Sequence, residues 1–153
     1  MPSIKASPEV CAGCRVCELA CSQAHTGLYA PSQSRVRVHK DDESGLDYPN
    51  LCRGCPVCPP VEACPTKALS WSPGGWLEVD EDLCTACWTC VESCRYQAIF
   101  KGWKAPLVCD HCGGAPRCVA QCPTAALEYG DNPPQRETVE EAFQRLRERW
   151  GLE

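Results

Sequence analysis

Cys84, Cys87, Cys90 and Cys94 stand at C-x2-C-x2-C-x3-C, and Cys11, Cys14, Cys17 and Cys21 repeat that spacing. Three thiols at steps of three bend the backbone around one corner of an iron-sulfur cubane and aim its N–H groups at the sulfides. The fourth, beyond a wider gap, points away, and where two clusters share a fold it serves the other one, so such motifs work in pairs. Two further groups follow, Cys52, Cys55, Cys58, Cys64 with Pro65, and Cys109, Cys112, Cys118, Cys122 with Pro123. All sixteen cysteines are then used, and the chemistry they point to is one-electron transfer.

Two other uses of thiols compete. Zinc takes four donors and usually draws them from two CxxC pairs, whereas here two groups carry a third cysteine after two more residues and the others keep it in close reach. Disulfides suit exported chains, and sixteen thiols this close together without an export signal make a poor disulfide framework. The cubane reading predicts a brown protein with iron near 16 per chain, in four clusters of about four irons.

Composition agrees. The apolar class reaches 44% only by including the sixteen cysteines, and Ile, Leu, Val and Phe number 26 in 153 residues. So thin a supply approaches the range where chains do not fold unaided, and the clusters are expected to act as core. A net charge of -5 with a pI near 5.2 gives no support to nucleic-acid binding. No apolar run is long enough to span a bilayer, so no direct membrane insertion is expected, and no charged-then-apolar leader is seen. Thiolates held for metal need a reducing compartment, which points to the cytoplasm, although export on a partner's signal would leave no trace here. No phosphate-cradling glycine loop, nucleophile-base pair or paired carboxylates appear, so no catalytic residue is assigned.

The elements that hold the thiols are short. An edge strand is expected around Ile4, Ser22 to Ser34 reads as loop, Arg35 to His39 as a half-buried strand with its basic residues facing water, and Asp41 to Gly45 as a turn. Ser70-Trp71 and Trp76 to Asp80 flank a Pro-Gly-Gly turn, a hairpin signal. The fourth cysteine opens a repeat, Cys64-Pro-Thr-Lys-Ala-Leu, Cys94-Arg-Tyr-Gln-Ala-Ile and Cys122-Pro-Thr-Ala-Ala-Leu, in which a small alanine leaves room beside a cubane and Leu or Ile starts a strand. Cys21 departs from it. After Pro133-Pro134, Thr138 and Glu141 form a capping box, and Val139, Ala142, Phe143, Leu146 and Trp150 share one face of a C-terminal amphipathic helix. That face is expected to pack on the chain's own body, with a docking arm for another subunit as the alternative. Trp71, Trp76, Trp88 and Trp103 are expected to fill the sparse core. His111 reads as a donor to sulfur or a surface residue, and His25 and His39 follow no pattern.

Four cysteine groups in this order, two ending in Cys-Pro, resemble the four-cluster ferredoxin subunits of the dimethyl sulfoxide reductase type. That group also includes small electron-transfer subunits of hydrogenase, formate-processing and tungsten aldehyde oxidoreductase complexes. The resemblance runs from Pro8 to Gly130, and with short insertions the chain is most similar to the tungsten aldehyde oxidoreductase small subunit. It implies an α+β fold of tandem bacterial-ferredoxin-like build, two interlocked dicluster modules with short hairpins. Residues 1–132 would form the four-cluster domain, module one from residues 1–50 plus 101–132 and module two from residues 51–100, and residues 133–153 a helical tail.

The resemblance also pairs the first group with the fourth and the second with the third. One 4Fe-4S cluster then takes Cys11, Cys14, Cys17 and Cys122, and its neighbour Cys109, Cys112, Cys118 and Cys21. A third takes Cys52, Cys55, Cys58 and Cys94, and the last Cys84, Cys87, Cys90 and Cys64. Two departures stand out. Pro60 occupies the usual place of the thiol found here at Cys58, and Arg95 replaces a proline, where a cation favours the reduced, more negative cluster. The implied function is a non-catalytic relay between a large tungsten or molybdenum catalytic subunit and a second redox subunit or ferredoxin-like acceptor. The alternatives are a freely diffusing polyferredoxin or a subunit serving a hydrogenase, formate or molybdenum enzyme. A cluster at each end would also permit head-to-tail stacking into filaments.

Overall fold

The computed structural model describes residues 1–152. Its strands are short and pair only in antiparallel twos, because cysteine groups interrupt the chain before any strand lengthens. The expected edge strand is β1 (Ser3–Ala6), which pairs with β8 (Leu127–Gly130), Ile4 facing Tyr129 and Ala6 facing Leu127. Strands β2 (Arg37–Asp41) and β3 (Leu46–Asn50) form a hairpin around the charged Asp41–Gly45 turn. The Pro-Gly-Gly hairpin is β4 (Leu69–Trp71) with β5 (Leu77–Val79), and β6 (Phe100–Lys101) pairs with β7 (Pro106–Leu107).

Four helices sit among the cysteines: α1 (Val16–Thr26), α2 (Pro59–Ala63), α3 (Thr89–Ser93) and α4 (Arg117–Gln121). The last three stop just before the fourth cysteine of their group, at Cys64, Cys94 and Cys122. Helix α1 instead runs through Cys21 to Gly27, where a left-handed residue ends it. Ser22 to Thr26 is therefore helix rather than loop, and the Ser22 and Thr26 hydroxyls donate back to the Leu19 and Ser22 carbonyls. Helix α1 packs on α4, and α2 on α3.

Two hydrophobic cores result. One gathers Val36, Tyr48, Leu127 and Leu146 around Cys17, Cys21, Cys109 and Cys118. The other gathers Leu69, Leu77, Ile99 and Val108 around Cys58, Cys64 and Cys90. The repeated alanines Ala68, Ala98 and Ala126 are each 1% exposed, at the same place behind a fourth cysteine.

The tail helix α5 (Val139–Trp150) starts on the expected capping box and ends on left-handed Gly151. Its Ala142, Phe143 and Leu146 are buried in the first core. Arg145 grips both Glu137 oxygens, at 2.7 and 3.0 Å, and reaches Glu9 at 2.8 Å, while Arg147 pairs with Asp41. The helix thus packs on its own body, and only Trp150 on the stripe stays open, at 45% exposed. Leu146→Ala is expected to cost the iron-loaded protein about 2–5 kcal/mol, the usual penalty of a buried Leu truncation, and Trp150→Ala close to nothing, both read from denaturant unfolding.

Candidate metal centres

None of the sixteen thiols is bonded to another. Cys11, Cys14, Cys17 and Cys122 line one small cavity with Val38 and Leu127. Cys64, Cys84, Cys87 and Cys90 line a second with Leu69, Trp88 and Pro106. Cys58, Cys94 and Cys55 are the thiols whose charges bear on Cys52, and Cys21, Cys112 and Cys17 those that bear on Cys118. Cys109 in turn feels Cys118, Cys52 and Cys21. Cys17 lies close to Cys118, and Cys109 to Cys52, so the first three gatherings adjoin in turn, and the fourth shares the second hydrophobic core with the third. Only Cys14 and Cys87 are exposed, one in each outermost gathering.

The backbone between the thiols follows a repeated rule. Two residues after the first cysteine of each group, Gly13, Gly54, Ala86 and His111 have φ of 65, 63, 53 and 51°. Two residues further on, Arg15, Trp88 and Gly113 are left-handed again at 60, 63 and 68°, and only Pro56, which cannot take positive φ, breaks the series. Three residues past the fourth cysteine, Lys67, Gln97 and Ala125 lie at 56, 50 and 53°. Left-handed residues recurring at this interval turn nearby N–H groups toward one point, a nest for an anion, and in the fourth group Cys112, at 50°, is left-handed as well. Donors accordingly reach sulfur from Arg35 to Cys21 at 3.2 Å, from Ala68 to Cys64 and Ala126 to Cys122 at 3.3 Å, and from Ala86 to Cys84 at 3.4 Å.

These contacts split the thiols into two kinds. Burial pushes Cys17 and Cys52 up to about 12 and Cys90 to about 11, and drives Cys109 and Cys118 up strongly. At Cys64 and Cys122 burial acts the same way, but backbone N–H groups and the Thr66 and Thr124 hydroxyls outweigh it and hold both thiols below the ordinary value. At Cys21 burial is outweighed by His25 and the Arg35 N–H. Paired soft donors, converging N–H groups and buried thiols that stay protonated without a metal fit an iron-sulfur cluster, whose binding must release those protons.

Several residues lie where the sequence pattern does not lead. His25, four residues after Cys21 on α1, bridges the Cys21 carbonyl at 2.8 Å and the Asp110 carboxylate at 2.9 Å. Both ring nitrogens face acceptors, so it is a cation, and Asp110 first and Cys21 second push it up to about 10. Arg35 and Arg37 do not simply face water: Arg35 donates to Asp110 at 2.8 Å, and Arg37 lies 4.5 Å over the Phe100 ring. His111 is buried, edge-on between Trp76 at 5.8 Å and Tyr129 at 5.5 Å, and among the described residues its Nδ1 has no partner. The tryptophans fill the core less than expected, since Trp103 is 65% and Trp71 39% exposed. The i, i+4 step from Cys21 to His25 was the one signal for the first of these residues.

Comparison with known proteins yields a consistent picture. Residues 77–100 match the 4Fe-4S binding domain family. The chain is 41% identical over 119 residues to the polyferredoxin-like subunit of aliphatic sulfonate oxidoreductase from Pyrococcus furiosus, covering 76% of this chain and 68% of that one. It is 34% identical to one of the chains of polysulfide reductase from Wolinella succinogenes (80% and 72% covered) and 30% identical to the electron transport protein HydN of Escherichia coli K12 (81% and 85% covered). A solved chain of the active site complex BamBC of benzoyl coenzyme A reductase with benzoyl-CoA superposes with a TM-score of 0.52 at 27% identity, over 98% of this chain and 91% of that one.

Proposed function

Because the chain belongs to the 4Fe-4S ferredoxin-type subunits of oxidoreductase complexes, we propose that it is the electron relay of such a complex and holds four clusters. Their ligands are Cys11, Cys14, Cys17 with Cys122; Cys109, Cys112, Cys118 with Cys21; Cys52, Cys55, Cys58 with Cys94; and Cys84, Cys87, Cys90 with Cys64. Bound 4Fe-4S clusters take up and return single electrons at potentials that their surroundings set. The chain's own part is to space the thiolates, aim N–H groups at them and keep water from the inner two sets. The observation that carries the reading is the exposure of Cys14 and Cys87 alone, one at each end of the row.

We divide the chain into an outer module (residues 1–50 plus 101–132) and an inserted one (51–100); the two hydrophobic cores support this division apart from Leu51 and the tail residues in the first core and Val108 in the second. Each end of the relay serves one partner: a large catalytic tungsten or molybdenum subunit, in our reading an aldehyde oxidoreductase, and a second redox subunit or ferredoxin-like acceptor. Head-to-tail stacking through the two ends belongs to the same proposal, and one fixed small mass at every concentration in size-exclusion chromatography would refute it. Among the described residues no helix is long and apolar enough to cross a membrane, and a reducing cytoplasm suits the thiols.

Native anaerobic purification with metal analysis tests the whole. We expect iron near 16 per chain, from four clusters of about four irons, and a co-purifying large subunit carrying tungsten or molybdenum. About four zincs and no colour would overturn the cluster reading. Iron without any partner would favour a freely diffusing polyferredoxin.

A further inference from the structure

Arg53 lies between Cys52 and Cys55 and is only 8% exposed. Its guanidinium sits 5.2 Å over the Tyr48 ring and 5.4 Å from the ring of Tyr96, two residues past Cys94. Its hydrogen bonds go to the Leu51 carbonyl at 2.9 Å, the Tyr48 hydroxyl at 2.9 Å and the Glu137 backbone carbonyl at 3.5 Å, and its Nε is buried without a partner. All of these acceptors are neutral. The nearby Glu137 carboxylate is held on both oxygens by Arg145, and Arg53 forms no ion pair among the described residues.

A guanidinium cannot escape burial by losing its proton, and buried charges are normally paired or set against a metal site. The other charged or titratable groups acting here do not supply the missing anion. His39 feels both Arg53 and Arg37 as repelling cations, and Arg95, itself 67% exposed, pairs with Glu141 at 3.7 Å. The anions left in reach are the thiolates of Cys52 and Cys55, which flank Arg53 in the chain, and of Cys94, two residues before the Tyr96 ring that its guanidinium covers.

We propose that Arg53 is the built-in counter-charge of the cluster held by Cys52, Cys55, Cys58 and Cys94, and that it raises the potential of that cluster alone among the four. This rests on the relay reading, since it needs those four cysteines to share a cluster. Reduction adds one negative charge to a cluster, and a desolvated cation stabilises that state far more than an exposed one does. The site becomes an electron-holding step inside the row rather than at either end.

The test is an EPR-monitored redox titration of the full chain carrying its iron, comparing wild type with Arg53→Met, Arg53→Lys and Arg95→Gln. We expect Arg53→Met to lower one midpoint and leave three in place, Arg53→Lys to keep it close to wild type, and Arg95→Gln to shift it less than Arg53→Met does. Four unmoved midpoints in fully loaded Arg53→Met, or an equal shift of all four, would overturn the inference and leave the relay reading intact. Iron well short of 16 in the wild type would overturn the relay reading itself. Should Arg53→Met not load, Arg53→Lys decides alone: a midpoint held near wild type supports the role of charge, and a clear fall refutes it.

Discussion

Stripped of iron by a chelator under reducing conditions, the chain will lose its cooperative unfolding transition altogether. The eight non-glycine residues with left-handed backbone all lie inside a cysteine group or three residues past its end. At about 1–3 kcal/mol each, they cost at least roughly 8 kcal/mol together, comparable with the whole stability of an ordinary domain at about 5–15 kcal/mol. Two small hydrophobic cores stand against that cost. Seven of the buried apolar positions are cysteines whose side chains would then face empty space or one another, and Ile, Leu, Val and Phe are few. Metal-binding free energy is therefore folding free energy here. Near-ultraviolet circular dichroism and calorimetry on the iron-free chain check this, and a sharp heat-absorbing transition without iron would contradict it.

Cys109→Ala is expected to cut conduction while leaving both ends of the molecule in place. Cys109 is buried beside Cys118, Cys52 and Cys21, where two neighbouring gatherings meet, and Ala offers iron no donor. Iron should fall from about sixteen to about twelve per chain, one cluster's worth. Electron transfer from a dye reducing one end to an acceptor at the other should drop to background. Exposed Cys14 and Cys87 keep their surroundings, so reduction of the end clusters by small reagents should continue. Undiminished end-to-end transfer with about twelve irons would show that the row is not the path.

Local patterns were legible in the sequence, and distant encounters were not. The capping box of Thr138 and Glu141, the Pro-Gly-Gly hairpin and the alanine behind three of the four fourth cysteines are each settled within a few residues, and each is found where the pattern puts it. The departure of Ser22-Gln23-Ala24-His25 from the repeat marked the first group as different, yet the helix that continues there reads as loop when only its polar residues are counted. Arg53 against Tyr96 and His25 against Asp110 join residues 43 and 85 positions apart, and no spacing rule reaches that far. The tryptophans misled for another reason: apolar area predicts burial on average, but Trp103 lies at the edge of an open groove of ≈ 550 Å³. The partner is hidden too, since the relatives named above are a subunit of an aliphatic sulfonate oxidoreductase, a chain of polysulfide reductase and an electron transport protein.

The pairing of β1 with β8 also fixes a timetable for biosynthesis. Residues 3–6 emerge from the ribosome ahead of their strand partner at 127–130, by several seconds at roughly 5–20 residues per second. Cys11, Cys14 and Cys17 wait equally long for Cys122. The middle stretch, whose buried hydrophobic companions lie between Cys58 and Val108, completes its set before that. The middle stretch can thus close before the outer one, against the usual N-terminal-first order, and the earliest thiols made are among the last to meet their neighbours.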